Sequence, residues 1–159
     1  MLKPMDEQVL AQVFRALREE KVRYAVFGGL ALAFHGLPRA TKDVDLFLAA
    51  SPENTSAAVR ALRRVFPDPA LEEITPADLE EYGVVRYGLA DYDFVIDLTQ
   101  RIGEAFRFED LDIEAVDYLG EPVPVVTPRT LVRMKRATGR PIDQLDVARL
   151  RERFEIEDL

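Results

Sequence analysis

The sequence has 159 residues, of which 48% are hydrophobic and 31% are charged, so it predicts a single globular domain over residues 1–159 and excludes a disordered chain. It has no cysteine, which excludes disulfides and cysteine-ligated metal sites, and no signal-peptide pattern or membrane-length apolar run, so we expect a cytoplasmic protein without membrane contact. The formal net charge of −8 argues against a protein that coats nucleic acid through a broad basic surface.

Hydrophobic periodicity and turn residues divide the first half of the chain into alternating helices and strands. The predicted elements are a helix over about 5–19, a strand over 22–27, a short helix over 30–34, a strand over 44–48 and a helix over about 52–65. The last helix begins at Ser51-Pro52, because serine can accept from first-turn amides and proline suits the first helical position.

The second half of the chain predicts two strand pairs followed by helices. The predicted elements are a helix from Thr75-Pro76, strands over 84–87 and 92–98, strands over 113–116 and 123–126, and helices from Thr127-Pro128 and Pro141 that flank a break at Gly139. Four residues join the first strand pair, which suits an antiparallel hairpin. Interleaved helices and strands predict an α/β (α+β) fold with a mixed β-sheet flanked by helices.

Two aspartates on the second predicted strand carry the strongest chemical signal. Asp43 and Asp45 are two residues apart, so both carboxylates project from one face while Val44 and Leu46 point to the other. Parallel carboxylates repel each other unless a cation lies between them, and oxygen ligands suit Mg²⁺. Taken alone, such a pair is more often simply a polar strand face.

Two further features have a functional and a structural interpretation each. Gly28-Gly29 ends a strand and begins a helix, which lets backbone amides approach an anion, although an ordinary tight turn has the same sequence. Asp97 lies near the end of a later strand and could join Asp43 and Asp45 if the strands are neighbours. Asp93 shares its strand face and is the alternative third carboxylate.

In combination these features resemble the nucleotidyltransferase superfamily, which has the DNA polymerase β-like fold. The resemblance rests on a strand, Gly28-Gly29, a short helix and the Arg-x-Thr-x-Asp-x-Asp segment at 39–45, and it covers roughly residues 20–150. Within the superfamily the sequence is most similar to minimal AbiEii-like nucleotidyltransferase toxins, with a core over about 20–126 and a C-terminal helical element over about 127–155. Residues 135–143 resemble the C-terminal element of those proteins.

The resemblance implies transfer of a nucleoside monophosphate from a nucleoside triphosphate to an acceptor hydroxyl. Asp43, Asp45 and Asp97 would be the catalytic and metal-binding carboxylates for two Mg²⁺ ions. The candidate nucleotide-binding residues are Gly28, Gly29, Arg39, Thr41 and Lys135. For Arg39 and Lys135 surface solvation is an equal alternative, and Lys135 with Arg140, Asp143 and Asp146 would otherwise form an ion-paired helix junction.

The sequence leaves the acceptor and the biological role open. RNA (including tRNA), a protein or a small molecule are all candidate acceptors, and the basic run at 129–140 permits RNA. The resemblance also implies the toxin of a toxin–antitoxin pair, with a cognate antitoxin as partner. The competing hypothesis is a catalytically silent nucleotide-binding or regulatory protein of the same fold.

Overall fold

The computed structural model describes residues 2–4, 6–37, 41–89, 91–104, 106–136 and 138–157. Its helices are α1 (Glu7–Glu19), α2 (Gly28–Phe34), α3 (Pro52–Val65), α4 (Pro76–Tyr82), α5 (Pro128–Arg136) and α6 (Pro141–Phe154). Its strands are β1 (Tyr24–Phe27), β2 (Asp43–Leu48), β3 (Val84–Gly88), β4 (Val95–Thr99), β5 (Arg101–Ile102), β6 (Phe106–Arg107), β7 (Ile113–Tyr118) and β8 (Glu121–Val126). Short 3₁₀ turns occupy Pro69–Glu73 and Phe108–Asp110.

Side-chain caps begin four of the helices and explain where the chain turns. Asp6, Ser51, Thr75 and Thr127 each accept a hydrogen bond from a first-turn amide of α1, α3, α4 and α5, respectively. Thr75 forms a reciprocal capping box, in which the Asp78 carboxylate accepts from the Thr75 amide. The Ser51 and Thr75 helix starts predicted from sequence are therefore confirmed.

Six strands form one mixed sheet in the order β3-β4-β2-β1-β8-β7. β2 pairs parallel with β4 and β1 pairs parallel with β8, whereas the other neighbours are antiparallel. The predicted hairpins β3-β4 and β7-β8 are both antiparallel, and the predicted mixed α/β fold is confirmed. Strands β2 and β4 are neighbouring interior strands of this sheet, and their pairing brings the acidic residues together.

One face of β2 and β4 is entirely apolar and fully buried. Val44, Leu46, Ile96 and Leu98 have no exposed surface and belong to a core that extends to residues of α1, α3, α5 and α6. Alternation along the strands therefore leaves Asp43, Asp45 and Asp97 on the opposite face. The buried face fixes the register, because a slip by one residue would put the carboxylates into the core.

Several predicted strand boundaries differ from the structure by one or two residues, the largest difference lies at the start of β4, and the sequence missed one small sheet. β4 begins at Val95 rather than at residue 92, because Tyr92 packs its ring against Phe66 and Phe94, and Lys3 makes backbone hydrogen bonds with Asp91 and Asp93. The two-residue strands β5 and β6 are too short to give a periodic signal. In the described ranges, every helix is too short or too polar to cross a bilayer.

Candidate active site

The site is built on the parallel register of β2 and β4. Asp45 lies directly opposite Asp97, and Asp43 lies opposite Val95. Residues that lie opposite each other on parallel strands point to the same face, so the structure brings Asp45 and Asp97 together. Asp43 is two residues before Asp45 on β2 and points to the same face. Asp97 is buried, whereas Asp43 and Asp45 are half-buried and lie closer to solvent.

The glycine pair shapes the wall beside these carboxylates. Gly28 has a φ of +71°, and a β-carbon there would overlap the Asp45 carboxylate, with 3.1 Å to its Cγ. A β-carbon on Gly29 would lie 3.3 Å from Cβ of Thr41, which is a tight approach. Glycine is therefore required at position 28 both for its backbone angle and for the space that Asp45 uses.

Thr41 fixes the start of β2 through its hydroxyl. Its Oγ1 accepts a hydrogen bond from the Asp43 amide at 3.1 Å and lies 3.2 Å from the Asp43 carbonyl oxygen, to which it can donate. This local turn holds the backbone from which Asp43 projects. Arg39, the basic residue of this segment that is expected to contact phosphate, lies outside the described residues.

The electrostatics of the site centre on Asp45. Burial, the negative charges of Asp97 and Asp43, and a hydrogen bond with Asp97 together raise the pKa of Asp45 from its ordinary 3.8 to about 7. The positive charge of Arg86 opposes this shift. Burial and the neighbouring negative charges therefore favour the protonated form of Asp45 near neutral pH, and a bound cation would favour its ionised form.

Arg86 is a site residue that the sequence did not reveal. It lies opposite Asp97 in the β3-β4 pairing, where its Nε donates to Oδ1 at 2.9 Å and its Nη2 donates to Oδ2 at 3.0 Å. Both oxygens of Asp97 are thus engaged by one planar fork. The only available sequence signal was a basic residue on the neighbouring strand of a predicted hairpin, and its register could not be read from the chain.

The three carboxylates fit Mg²⁺ in chemistry but not yet in arrangement. Oxygen donors on adjacent strands beside a half-open face are what Mg²⁺ prefers. Within the described part of the chain, however, no three His, Cys, Asp or Glu side chains are placed to hold a metal ion as they stand. In this arrangement each oxygen of Asp97 accepts a hydrogen bond from the Arg86 fork.

Asp93, the alternative third carboxylate, has a different partner. Its Oδ2 forms an ion pair with Lys42 Nζ at 2.8 Å, and both side chains are substantially exposed. It precedes β4 and has no register partner on β2, unlike Asp97. The geometry therefore favours Asp97 as the residue that accompanies Asp43 and Asp45.

Lys135 lies in a buried ion-pair cluster between α5 and α6. Its Nζ is 3.3 Å from Asp143 Oδ1 and 3.3 Å from Asp146 Oδ2, and its side chain is only 9% exposed. The other Asp143 oxygen accepts from Thr138 Oγ1 and from Arg140 Nε, each at 2.7 Å. The structure thus shows the ion-paired helix junction, and the expected contact of Lys135 with phosphate stays a prediction.

Four arginines of the basic run are exposed on and after α5. The arginine stripe consists of Arg129, Arg133, Arg136 and Arg140. The first three lie at steps of four and three residues on one side of α5, whereas Arg140 follows the turn at Gly139 and pairs with Asp143. Lys135, which belongs to the same basic run in sequence, points inward and contributes no surface charge.

Comparisons with known proteins give one family match. The family model for nucleotidyl transferase AbiEii toxin, Type IV TA system, matches residues 9–144. No curated protein matches the sequence.

Three similar solved structures have comparable folds. A nucleotidyltransferase-like antigenic protein from Paracoccidioides brasiliensis is 17% identical with a TM-score of 0.56, over 94% of this chain and 77% of that chain. ANT(2″)-Ia in complex with adenylyl-2″-tobramycin is 15% identical with a TM-score of 0.54, over 91% and 86%. The lincosamide antibiotic adenylyltransferase LnuA, bound to lincomycin, is 13% identical with a TM-score of 0.53, over 92% and 97%.

Proposed function

The chain belongs to the AbiEii family of nucleotidyl transferase toxins, and on that premise we propose that it transfers a nucleoside monophosphate from a nucleoside triphosphate to an acceptor hydroxyl in a Mg²⁺-dependent reaction. The observation that carries the proposal is the register of Asp45 opposite Asp97, with Gly28 leaving room for the Asp45 carboxylate. We assign the activity to a single domain over residues 1–159 that works in the cytoplasm.

The proposed roles follow from the positions of the side chains. Asp43, Asp45 and Asp97 would hold the Mg²⁺ ions, which when bound orient the triphosphate and offset charge on the leaving pyrophosphate. The acceptor oxygen forms a bond to the α-phosphorus while the bond from that phosphorus to the pyrophosphate oxygen breaks. We assign Asp97 to take the proton of the acceptor hydroxyl.

The residues around the carboxylates would position the nucleotide. We propose that the backbone amides at Gly28 and Gly29 contact the phosphates. Thr41 offers a hydroxyl beside Asp43. Arg39 and Lys135 complete the proposed nucleotide contacts. To contact phosphate, the Lys135 ammonium group would have to leave Asp143 and Asp146.

We favour RNA, such as tRNA, as the acceptor over a protein or a small molecule. The arginine stripe is an elongated positive surface on an otherwise acidic chain, and spaced arginines suit a phosphate backbone. The family description supports a toxin, so a cognate antitoxin is the partner we propose. Aminoglycoside and lincosamide acceptors belong to the similar structures and find no specific support in the residues described here.

A second candidate function has one specific observation in its favour. The described carboxylates are not placed for metal binding as they stand, and Arg86 donates a hydrogen bond to each oxygen of Asp97. A protein that retained this state with nucleotide present would be a catalytically silent binding or regulatory partner. The two functions differ in whether pyrophosphate is released.

A labelling experiment tests the proposed function. The protein is incubated with each α-³²P-labelled nucleoside triphosphate and total RNA, with Mg²⁺ or with EDTA, and compared with Asp45→Asn. We expect label in RNA and release of pyrophosphate only for the unsubstituted protein with Mg²⁺. Label in protein or in small molecules would replace the acceptor assignment, and nucleotide binding without any transfer would establish the silent alternative.

A further inference from the structure

Arg86 occupies a position that neither the family model nor the sequence motif assigns. Its guanidinium reaches across from the edge strand β3 and pairs with Asp97 on β4 through two parallel hydrogen bonds. Among the described residues, Arg86 is the cationic side chain that pairs with one of the three carboxylates on this face. Asp43, Asp45 and Asp97 together carry a formal charge of −3, which a single guanidinium does not neutralise.

The two ends of this ion pair differ in their exposure. The Asp97 side chain is 9% exposed, while that of Arg86 is 64% exposed. Asp97 is therefore fixed in the sheet, whereas the guanidinium can move into solvent without leaving a buried cavity. Because solvent screens the exposed guanidinium, a divalent cation with stronger attraction to the three carboxylates can displace it.

We propose that Arg86 is a positioning residue that holds Asp97 in the nucleotide-free protein and must release this carboxylate before a divalent cation binds there. The inference rests on the proposed function, because it assumes a metal site at Asp43, Asp45 and Asp97. Arg86 and the cation compete for the same two oxygens. In the metal-free protein, Arg86 thereby offsets part of the negative charge of these carboxylates until a divalent cation binds.

The direction in which metal affinity changes when Arg86 is removed distinguishes competition from a supporting role. If Arg86 and the ion compete, removal of the guanidinium tightens metal binding, because a rival cation and its repulsion of the ion both disappear. If Arg86 instead holds Asp97 in the orientation that metal needs, its removal weakens metal binding. The metal affinity of the nucleotide-free protein therefore decides between these roles without any measurement of activity.

The experiment is a Mn²⁺ titration of the full chain without nucleotide, followed by the electron paramagnetic resonance signal of free Mn²⁺. For Arg86→Gln we expect a dissociation constant about tenfold lower than that of the unsubstituted protein. For Arg86→Lys, which keeps the charge but loses the planar fork, we expect a value about threefold lower. The matched control is Arg63→Gln, which removes an exposed arginine paired with Glu72, and its dissociation constant should not change.

Unchanged or weaker Mn²⁺ binding in Arg86→Gln would overturn the inference. If thermal melting shows that Arg86→Gln does not fold, Arg86→Lys carries the test, and weaker or unchanged binding there overturns it equally. Asp97→Asn separates this failure from that of the proposed function. Loss of Mn²⁺ binding in Asp97→Asn without tightening in the Arg86 variants rejects only the role of Arg86, whereas unchanged binding in Asp97→Asn rejects the metal site itself.

Discussion

The Asp45 carboxylate occupies the space in which a side chain at position 28 would begin. Gly28 turns the chain at a φ of +71°, and a β-carbon on it would overlap that carboxylate. Gly28 directly follows β1, and because it has no side chain, the Asp45 carboxylate of β2 can lie against its backbone. This contact links the glycine motif to the carboxylates physically, rather than only as parts of one sequence pattern.

Gly28→Ala should abolish the metal site while leaving most of the protein folded. Alanine at a left-handed backbone angle costs about 1–2 kcal/mol, and the new methyl group displaces Asp45. We expect Mn²⁺ binding to weaken more than about tenfold. The control is Gly120→Ala, which has a φ of +88° and no atom within 4 Å of the added carbon. Equal Mn²⁺ affinity in the two variants would contradict the proposed role of Gly28.

Asp45→Asn should lower nucleotidyl transfer by at least about 10³-fold without unfolding the protein. The substitution keeps the side-chain size but removes a charge that Asp97 and Asp43 repel. In EDTA at pH 8 we therefore expect its thermal midpoint to rise by about 3 °C. A transfer assay and a thermal melt on the same preparation check both effects. Transfer near the unsubstituted rate would reject the catalytic role, and a large fall in the midpoint would show a structural one.

Lys135→Met should destabilise the fold by about 3 kcal/mol, because Asp146 and one Asp143 oxygen lose a buried cationic partner. Urea unfolding measures the change. Lys42→Met is the matched control, since it removes a lysine from the exposed pair with Asp93 and should cost no more than about 1 kcal/mol. Similar losses in both variants would mean that the buried cluster contributes little to stability.

The same cluster predicts how stability depends on acid. Burial tends to raise the pKa of Asp143, but hydrogen bonds from Thr138 and Arg140 and the charge of Lys135 outweigh it and hold the pKa below the ordinary 3.8. The stabilisation is therefore complete above pH about 4 and is lost as the pH falls through the lowered value. We expect the urea midpoint of Asp143→Asn to differ from that of the unsubstituted protein more at pH 6 than at pH 2.5. A constant difference would show that the charge of Asp143 does not contribute.

The arginine stripe gives a test of the RNA acceptor. Arg129→Gln with Arg136→Gln should reduce labelling of RNA and the salt dependence of RNA binding, because two phosphate contacts are removed. Nucleoside triphosphate binding should be unchanged. Arg60→Gln with Arg63→Gln on α3 is the control for the same loss of net charge. Equal reduction in both double variants would indicate an effect of total charge rather than of the stripe.

Local sequence patterns were sufficient to predict the strand that places Asp43 and Asp45 on one face. Alternation in β2 put Asp43 and Asp45 opposite the buried Val44 and Leu46, and that outcome needs only the two-residue period of a strand. The helix starts at Ser51 and Thr75 followed from local capping chemistry in the same way. Each of these properties depends on neighbours in the chain, which is why they could be predicted.

The contacts between residues on different strands could not be predicted from the sequence, because they depend on the tertiary packing. The predicted boundaries, with four residues joining β3 to β4, would have paired Arg86 with Asp93, whereas the observed register pairs Arg86 with Asp97. The shift arises because residues 91 and 93 bond to the backbone of Lys3. The burial of Lys135 between α5 and α6 is likewise a product of packing. Such contacts join residues far apart in the chain, and local periodicity carries no information about which of them become neighbours.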